Sequence, residues 1–178
     1  MELLDTPMDI TRLRAGDAEA FAELVQLFQD RIFSLCQSVG LRGADIDQAA
    51  ADIFSAVYLA LPGFDGRSAL GTWIYQIAFR TALRQRKRAA RHTHGNLPEN
   101  LSAPHGSDTV EEADTRENIW RCVAALGSQT AMIVKLYYQD GLPLREIAEI
   151  TGRPVGTIKT ILFRARQQLS ESLARYKP

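Results

Sequence analysis

Four side chains near the end of the chain could bind nucleic acid, because they place positive charge, a hydroxyl group and an aromatic ring on one side of a predicted helix. They are Lys159, Thr160, Phe163 and Arg164, with Gln167 one turn later. Residues three and four positions apart are neighbours on a helix surface, so these groups would point outward together. Cationic and hydroxyl groups arranged in this way are typical of a helix that enters the DNA major groove.

The segment from Leu144 to Arg166 has the pattern of two short amphipathic helices that would position this face. Gly152 ends the first helix, and Pro154 is tolerated in the first turn of the second. The first helix places four residues on one face, Leu144, Ile147, Ala148 and Thr151. The second has a buried stripe of Ile158, Ile161, Leu162, Ala165 and Leu169. The pair predicts a helix-turn-helix, although an ordinary helical hairpin with a solvated basic face has the same pattern.

Charged residues are sorted along the chain, although 21 basic and 21 acidic residues give a net charge of zero. Residues 1–62 carry 4 basic and 10 acidic side chains, whereas residues 63–98 carry 7 and 1. Residues 99–117 then carry 1 and 6, and residues 118–178 carry 9 and 4. The alternation predicts two separate phosphate-binding surfaces, with acidic surface left for another partner or for self-shielding.

The composition predicts a helical cytoplasmic protein without a metal or cofactor. A chain of 178 residues with 46% hydrophobic content can bury one or two small cores. No apolar run is long enough for a membrane span, and the first residues do not resemble a secretory signal. Cys36 and Cys122 have no CxxC spacing and are expected in the core. The motifs of catalytic, phosphate-binding and metal sites are lacking, which argues against an enzyme with a small-molecule substrate.

A stretch rich in turn-forming residues divides the chain into two predicted domains. Residues 91–112 read RHTHGNLPENLSAPHGSDTVEE, with few aromatic or β-branched residues, so we expect a flexible linker. The first helical domain is placed at residues 1–91, the linker at 92–113 and the second helical domain at 114–178. The predicted fold is therefore all-α, with two small domains on one tether.

Apolar residues at helical spacing predict the core of each domain. In the first domain a short helix near residues 9–15 should precede a long one capped by Asp17, and two more should cover residues 45–61 and 69–91. In the second domain Ser128 is predicted to cap a helix that buries Met132, Ile133, Leu136 and Tyr137. This helix would support the helix-turn-helix.

The last helix of the first domain mixes aromatic and cationic residues, which suits single-stranded nucleic acid. Trp73 and Phe79 share this helix with the six cations Arg80, Arg84, Arg86, Lys87, Arg88 and Arg91. Cations would hold phosphates, while exposed rings or a shaped loop would receive unstacked bases. Each ring taken singly is more simply explained as part of the core, and the arginines as solvated.

The order of these segments resembles the bacterial extracytoplasmic-function (ECF) sigma factors over nearly the whole chain. The similar segments are DAEAFAELVQLFQDRIF, FDGRSALGTWIYQIAFRTALRQRKR and, after the linker, ALGSQTAMIVKLYYQDGLPLREIAEITGRPVGTIKTILFRARQQL. The resemblance implies a sigma region 2 domain and a sigma region 4 domain that bind core RNA polymerase and direct it to promoter DNA. It also implies an anti-sigma factor as a partner, which commonly clamps the two domains together.

By position, the resemblance implies a role for three sets of side chains. The upstream, minus-thirty-five element would meet Arg145, Arg153, Thr157, Lys159, Thr160, Phe163 and Arg164. The minus-ten strand would meet Gly66, Arg67, Ser68, Trp73, Arg80, Arg84 and Arg88. Core polymerase would bind the acidic second and third helices, through Asp47, Gln48 and Asp52.

Three positions depart from the pattern of this family. Ala51 stands where a glutamine is usual, Arg80 replaces an asparagine, and Arg84 replaces an aspartate. The two arginines add positive charge that a DNA-binding protein could use and a purely protein-binding mimic would not need. Two alternatives to an alternative sigma factor therefore stay open: a sigma-like module that sequesters an anti-sigma factor, and a stand-alone helix-turn-helix regulator of duplex DNA.

Overall fold

The computed structural model describes residues 8–92, 119 and 122–174, and these residues form helices and turns without a β-strand. The all-α prediction is confirmed. Short helical pieces lie at Leu61–Gly63, a 3-10 turn, and at residues 122–125. The longer helices, in chain order, are α1 Ile10–Arg14, α2 Ala18–Ser38, α3 Ala44–Ala60, α4 Leu70–His92, α5 Ser128–Tyr138, α6 Leu144–Thr151 and α7 Val155–Ala174.

The predicted linker, residues 92–113, lies outside the described residues except for its first. Between residues 8 and 174, the described helices include none with the length and apolar character needed to cross a membrane. Cys36 and Cys122 are both buried and unpaired, as the sequence predicts.

Asp17 caps α2 in the predicted way and is fixed by a second interaction. Its Oδ1 accepts hydrogen bonds from the backbone N–H groups of Glu19 and Ala20, each at 3.0 Å. Arg12 of α1 donates from Nε to Oδ2 at 2.8 Å. The Arg12 hydrogen bond and the backbone donors lower the pKa of the Asp17 carboxyl. The cap therefore stays ionised and also ties α1 to the start of α2.

The core of the first predicted domain comes from the stripes that the sequence indicates. From α2 the buried residues include Leu24, Phe28, Ile32, Leu35 and Cys36, and from α3 they include Ile46, Ala50, Ile53 and Val57. Helix α4 packs against both of these helices. This packing orients α4 so that one of its faces stays outside the core.

The prediction for α5 is wrong in one respect, the burial of Tyr137. Tyr137 is 37% exposed and meets the ring of Tyr138 edge to face, with centroids 4.9 Å apart. In its place the helix buries six consecutive residues from Ala131 to Leu136. Because α5 packs against α2 and α4 as well as α6 and α7, its apolar surface extends around the helix instead of following one stripe.

The predicted cap at Ser128 is also wrong. Helix α5 begins at Ser128 itself, after Gly127, and no side chain caps it. The Ser128 hydroxyl donates to the backbone carbonyl of Val39, at the end of α2, over 3.0 Å. Ser128 therefore joins the second predicted domain to the first, and as the first helical residue it lies one position past the capping position, which Gly127 occupies.

The helix-turn-helix has the predicted break. Helix α6 ends at Gly152, which has the left-handed φ of 67°, and the N–H of Arg153 returns to the carbonyl of Ala148 at 3.1 Å. Ile147 and Ile150 are buried under α6. The sequence pattern misses Ile150, because α6 packs against α4 in addition to its own domain.

Gly152→Ala should lower the free energy of unfolding by about 1 kcal/mol, because L residues are strained at this positive φ. No atom lies within 4 Å of the added Cβ, so backbone strain is the only cost. Gly156→Ala is the matched control: its Cβ also meets nothing within 4 Å, and it lies inside α7. Urea denaturation should show the control neutral or slightly stabilised. An equal loss in both variants would contradict the strain argument.

Candidate nucleic-acid interface

Helix α7 carries the predicted recognition face on its exposed side. Lys159, Thr160, Phe163 and Arg164 are all exposed, and Phe163 reaches 57% exposure. The Thr160 hydroxyl donates to the carbonyl of Gly156 at 3.0 Å. On the opposite side of α7 the buried residues are Ile158, Leu162 and Ala165. The structure therefore brings the four side chains together on a surface anchored from beneath.

The residues that flank the recognition face are held to different degrees. Arg153 is half-buried, and its Nη2 donates to Oε1 of Gln129 in α5 at 2.7 Å. Thr157 is half-buried in the first turn of α7, whereas Arg145 is exposed on α6. Arg153 is thus oriented by α5, while Arg145 can follow a nearby anion.

The loop before α4 has a defined shape that places Gly66, Arg67 and Ser68 next to each other. Asp65 accepts the backbone N–H of Arg67 at 3.1 Å through Oδ1, and its Oδ2 lies 3.0 Å from Nε of Arg67. Gly66 has a φ of 74°, which favours glycine. Arg67 has 89% of its side chain exposed, so its pairing with Asp65 is open to exchange for a phosphate.

The two aromatic residues singled out in α4 differ in exposure. Phe79 is buried at 3%, which confirms the core interpretation for that ring. Trp73 is half-buried, with its ring centroid 5.0 Å from that of buried Phe64. One part of the Trp73 ring is therefore packed against Phe64, and the rest is accessible.

Five cations form one exposed face along the second half of α4, which we name the basic stripe. It extends from Arg80 to Arg91, about 16 Å along the helix. Its members are Arg80, Arg84, Lys87, Arg88 and Arg91, all exposed. Arg86, the sixth cation of the sequence pattern, lies on another side: it is half-buried and donates from Nε to the carbonyl of Val39 at 3.1 Å.

The three residues assigned to polymerase contact lie on one side of α3. Asp47 and Gln48 are exposed, and Asp52 is half-buried. Gln48 donates from Nε2 to Oδ1 of Asp52 at 2.8 Å, and Gln85 of α4 donates to the other carboxylate oxygen. Sequence analysis missed Gln85, which has no pattern of its own among the arginines. It links α3 to the helix that carries the basic stripe.

A buried charge in the second domain was also missed. Lys135 is 1% exposed, and its Nζ lies 2.7 Å from Oδ1 and 2.8 Å from Oδ2 of Asp140. Burial lowers the pKa of Lys135, and Asp140 opposes that shift. Tyr75 of α4 reaches Oδ2 of Asp140 at 3.4 Å, and burial raises the pKa of its phenol. Lys135 is hard to find in the sequence because apolar residues surround it.

Metal chemistry finds no support in the part of the chain that the structure describes. No group of three His, Cys, Asp or Glu side chains is placed there to hold a metal ion. The exposed groups on α7, α4 and the loop are instead hydrogen-bond donors and cations, which suit phosphates and base edges.

The chain is similar to known proteins over nearly its full length. Residues 24–92 match the family model for sigma-70 region 2, and residues 116–169 match that for sigma-70 region 4. The ECF RNA polymerase sigma-E factor of Escherichia coli K12 is 31% identical over 97% of this chain and 96% of its own. The ECF sigma factor SigW of Bacillus subtilis is 28% identical over 92% of this chain and 94% of its own.

Two solved structures share the fold, each at 21% identity. CnrH in complex with the cytosolic domain of CnrY has a TM-score of 0.71, covering 94% of this chain and 96% of its own. The sigma factor RpoE of Bartonella quintana, in complex with the anti-sigma factor NepR, has a TM-score of 0.68, covering 88% and 98%. With the two family models matched in order along one chain, the protein belongs to the ECF family of sigma-70-type sigma factors.

Proposed function

We propose that this chain is an alternative sigma factor that binds core RNA polymerase and directs promoter-specific initiation of transcription. The observation that carries the proposal is the exposed recognition face of α7 on the same chain as the basic stripe and the shaped loop before α4. The recognition face of α7 has hydrogen-bond donors that suit the base edges of duplex DNA. Helix α4 has cations and the partly exposed indole of Trp73, which suit a single strand. Neither surface needs a cofactor, and the protein would act in the cytoplasm, on chromosomal DNA.

The upstream module reads the minus-thirty-five element in this proposal. Helix α7 would lie in the major groove, with Lys159, Thr160 and Arg164 toward base edges and Phe163 toward apolar groups. Arg145 and Arg153 would bind flanking phosphates and set the register. The hydrogen bond from Arg153 to Gln129 supports this role, because it fixes one guanidinium relative to α7.

The downstream module would trap the minus-ten strand after its bases leave the stack. Gly66, Arg67 and Ser68 offer a cation and backbone groups in the loop, and Trp73 offers a partly exposed ring in the first turn of α4. Binding the open strand better than the duplex favours opening without nucleotide hydrolysis. The module boundaries that we propose are residues 1–91 and 114–178, joined through residues 92–113.

Polymerase binding is proposed for the exposed side of α3. Asp47 and Gln48 are exposed there, and Asp52 is held in place by Gln48 and Gln85. Ala51 is also exposed on this helix, so the missing glutamine removes an amide from the surface and leaves the buried core unchanged. An anti-sigma factor is a further proposed partner, in line with the complex that the RpoE relative forms with NepR.

One experiment separates this function from the two alternatives. Full-length protein would be mixed with core polymerase, and run-off transcription would be measured on promoters selected from transcripts that appear when the protein is overproduced. A sigma factor copurifies with core polymerase and supports initiation. A stand-alone regulator would bind duplex DNA tightly without polymerase, and a sequestering module would bind an anti-sigma factor without supporting initiation. Either of these results would overturn the proposal.

Replacing Arg84 and Arg88 by Ala should reduce the salt dependence of binding to minus-ten DNA. Each lost phosphate contact lowers the slope of log K against log salt by about 0.7 to 0.9, so the double variant should lose up to about 2. The assay is fluorescence anisotropy of the holoenzyme on a labelled minus-ten fragment, over a salt series. Arg14→Ala, an exposed cation on α1, is the control. An unchanged slope in the double variant would exclude the basic stripe from DNA binding.

A further inference from the structure

Asp52 is held by two neutral amides, one from its own helix and one from α4. Gln48 of α3 donates from Nε2 to Oδ1 of Asp52 at 2.8 Å, and Gln85 of α4 donates from Nε2 to Oδ2. Neither amide adds a charge. The two oxygens of a carboxylate have about four acceptor sites, so two amide donors leave Asp52 with capacity for a cationic partner from outside.

Gln85 lies behind the surface proposed for polymerase and has little area of its own to offer a partner. It is 9% exposed, whereas Gln48 is exposed and Asp52 is half-buried. Its amide reaches Asp52 across the contact between α3 and α4. An effect of Gln85 on polymerase binding would therefore act through the orientation of Asp52.

A cation of the basic stripe borders the same carboxylate. Arg88, Asp52 and Gln85 all line a cleft of about 410 Å³ between α3 and α4. Arg88 is three residues from Gln85, so the two side chains are neighbours on α4. A guanidinium can bind both oxygens of a carboxylate in a bidentate pair, which a single amide donor cannot do. Arg88 is therefore the group that would take Asp52 if Gln85 did not donate to it.

An ion pair between Arg88 and Asp52 would remove one group from each of two proposed surfaces. Asp52 would turn away from the exposed side of α3, where Gln48 and Asp47 lie. Arg88 would no longer be available to a phosphate. The amide of Gln85 prevents both losses, because it satisfies Oδ2 of Asp52 without neutralising the carboxylate.

We propose that Gln85 is a positioning residue for polymerase binding, which holds Asp52 on the α3 surface and thereby keeps Arg88 for DNA. The effect on polymerase rests on the proposed function, whereas the choice of partner by Asp52 rests on the contacts between α3 and α4. The group on polymerase that meets Asp52 would be a cation, because the remaining acceptor sites of a carboxylate suit a guanidinium or ammonium donor.

Gln85→Met tests the proposal, because methionine is unbranched like glutamine but has no N–H donor. The full-length variant should bind immobilised core polymerase about tenfold more weakly, the effect of losing a hydrogen bond to a charged group. For the holoenzyme on minus-ten DNA, the slope of log K against log salt should fall by about 0.7 to 0.9, because Arg88 no longer meets a phosphate. Gln37→Met, the same change at a half-buried position of α2, is the matched control and should change neither quantity. Unaltered polymerase affinity in Gln85→Met would overturn the proposal.

A second substitution separates positioning from a loss of packing between α3 and α4. Arg88→Gln in the Gln85→Met background removes the competing guanidinium, so Asp52 is released to the α3 surface. The double variant should recover most of the lost affinity for core polymerase, while its salt slope on DNA stays low. A purely structural defect at Gln85 would persist in the double variant, and that result would refute the positioning role.

Nuclear magnetic resonance of the full chain detects the change of partner without polymerase. The Nε–H of a guanidinium in an ion pair exchanges with water more slowly than that of an exposed one, and Arg88 is exposed in the original chain. Its Nε–H signal, identified by its loss in Arg88→Gln, should exchange more slowly in Gln85→Met. An unchanged exchange rate would contradict the proposal. If exchange slows but no variant binds core polymerase, the proposed function is refuted, whereas the role of Gln85 in selecting the partner of Asp52 is supported.

Discussion

Replacing Asp140 by Ala should lower the free energy of unfolding by about 3–5 kcal/mol, the largest stability effect that we expect from a single substitution in this chain. The change strips Lys135 of both of its carboxylate contacts, at 2.7 and 2.8 Å. Lys135 is 1% exposed, so the surrounding residues shield its ammonium group from water. Removing one partner of a buried ion pair leaves the other charge without compensation, and this lowers stability by several kcal/mol.

Removing the other partner of this ion pair, Lys135, should lower the free energy of unfolding much less. Lys135→Met removes the buried charge and fills most of its volume, while Asp140 keeps 14% of its side chain exposed and can be hydrated. The double variant Lys135→Met with Asp140→Ala should therefore recover most of the stability lost in Asp140→Ala alone. Recovery in the double variant would identify the unpaired buried charge as the cause of the loss. If packing alone were lost, the stability losses of the two single variants would add in the double variant.

The stability loss in Asp140→Ala should shrink as the pH rises toward 10. Burial lowers the pKa of folded Lys135 below its ordinary 10.5, and among the described residues Asp140 is the group that opposes that shift. Between the two pKa values the unfolded chain holds more protons than the folded one, so stability rises with pH. Urea titrations at pH 7 and pH 10 measure the difference. An equal loss at both values would contradict the charge-based explanation.

Local patterns in the sequence predict the two cores and the helix-turn-helix because those elements are defined by near neighbours. Spacing of apolar residues locates α2, α3 and α7, and Gly152 marks the break. The recognition face follows in the same way, since a helix with one buried stripe leaves its opposite side to solvent. Most of the candidate DNA surface can therefore be predicted from the spacing of residues three and four positions apart.

The contacts between the domains could not be predicted in this way, because no pattern within either domain refers to the other. Ser128 has the features of a cap, yet its hydroxyl meets Val39, 89 positions earlier. Lys135 and Ile150 are buried for the same reason, since α5 and α6 are covered from a second side. Family resemblance identifies the two modules but does not predict which side chains of one contact the other.

Helix α4 packs against α3 and against the second domain. Its basic stripe faces outward, while Tyr75 on the buried side contacts the second domain and Gln85 contacts α3. The surface of α3 that we propose for polymerase and the basic stripe that we propose for DNA are therefore joined through a single helix.

Arg164→Ala should weaken upstream promoter binding by about 1–3 kcal/mol, about 5- to 150-fold, if the guanidinium reads a base. Arg164 is exposed beside Phe163, and α7 is anchored by buried Ile158 and Leu162, so the substitution removes a donor without disturbing the fold. The loss should be concentrated at one base pair of the minus-thirty-five element. Substituting that base pair should weaken binding by the original protein by the same amount, about 1–3 kcal/mol, and it should leave binding by the variant unchanged.

Arg166→Ala provides the matched control on the same helix. Arg166 is exposed but lies two residues further along, about 160° around α7 from Arg164. Because Arg166 points away from Arg164, we expect it to contact phosphate at most, so its loss should weaken all sequences slightly and equally. Anisotropy of the holoenzyme on a panel of single-base variants measures both effects. A uniform loss for Arg164→Ala across that panel would assign this arginine to phosphate contact and remove it from base reading.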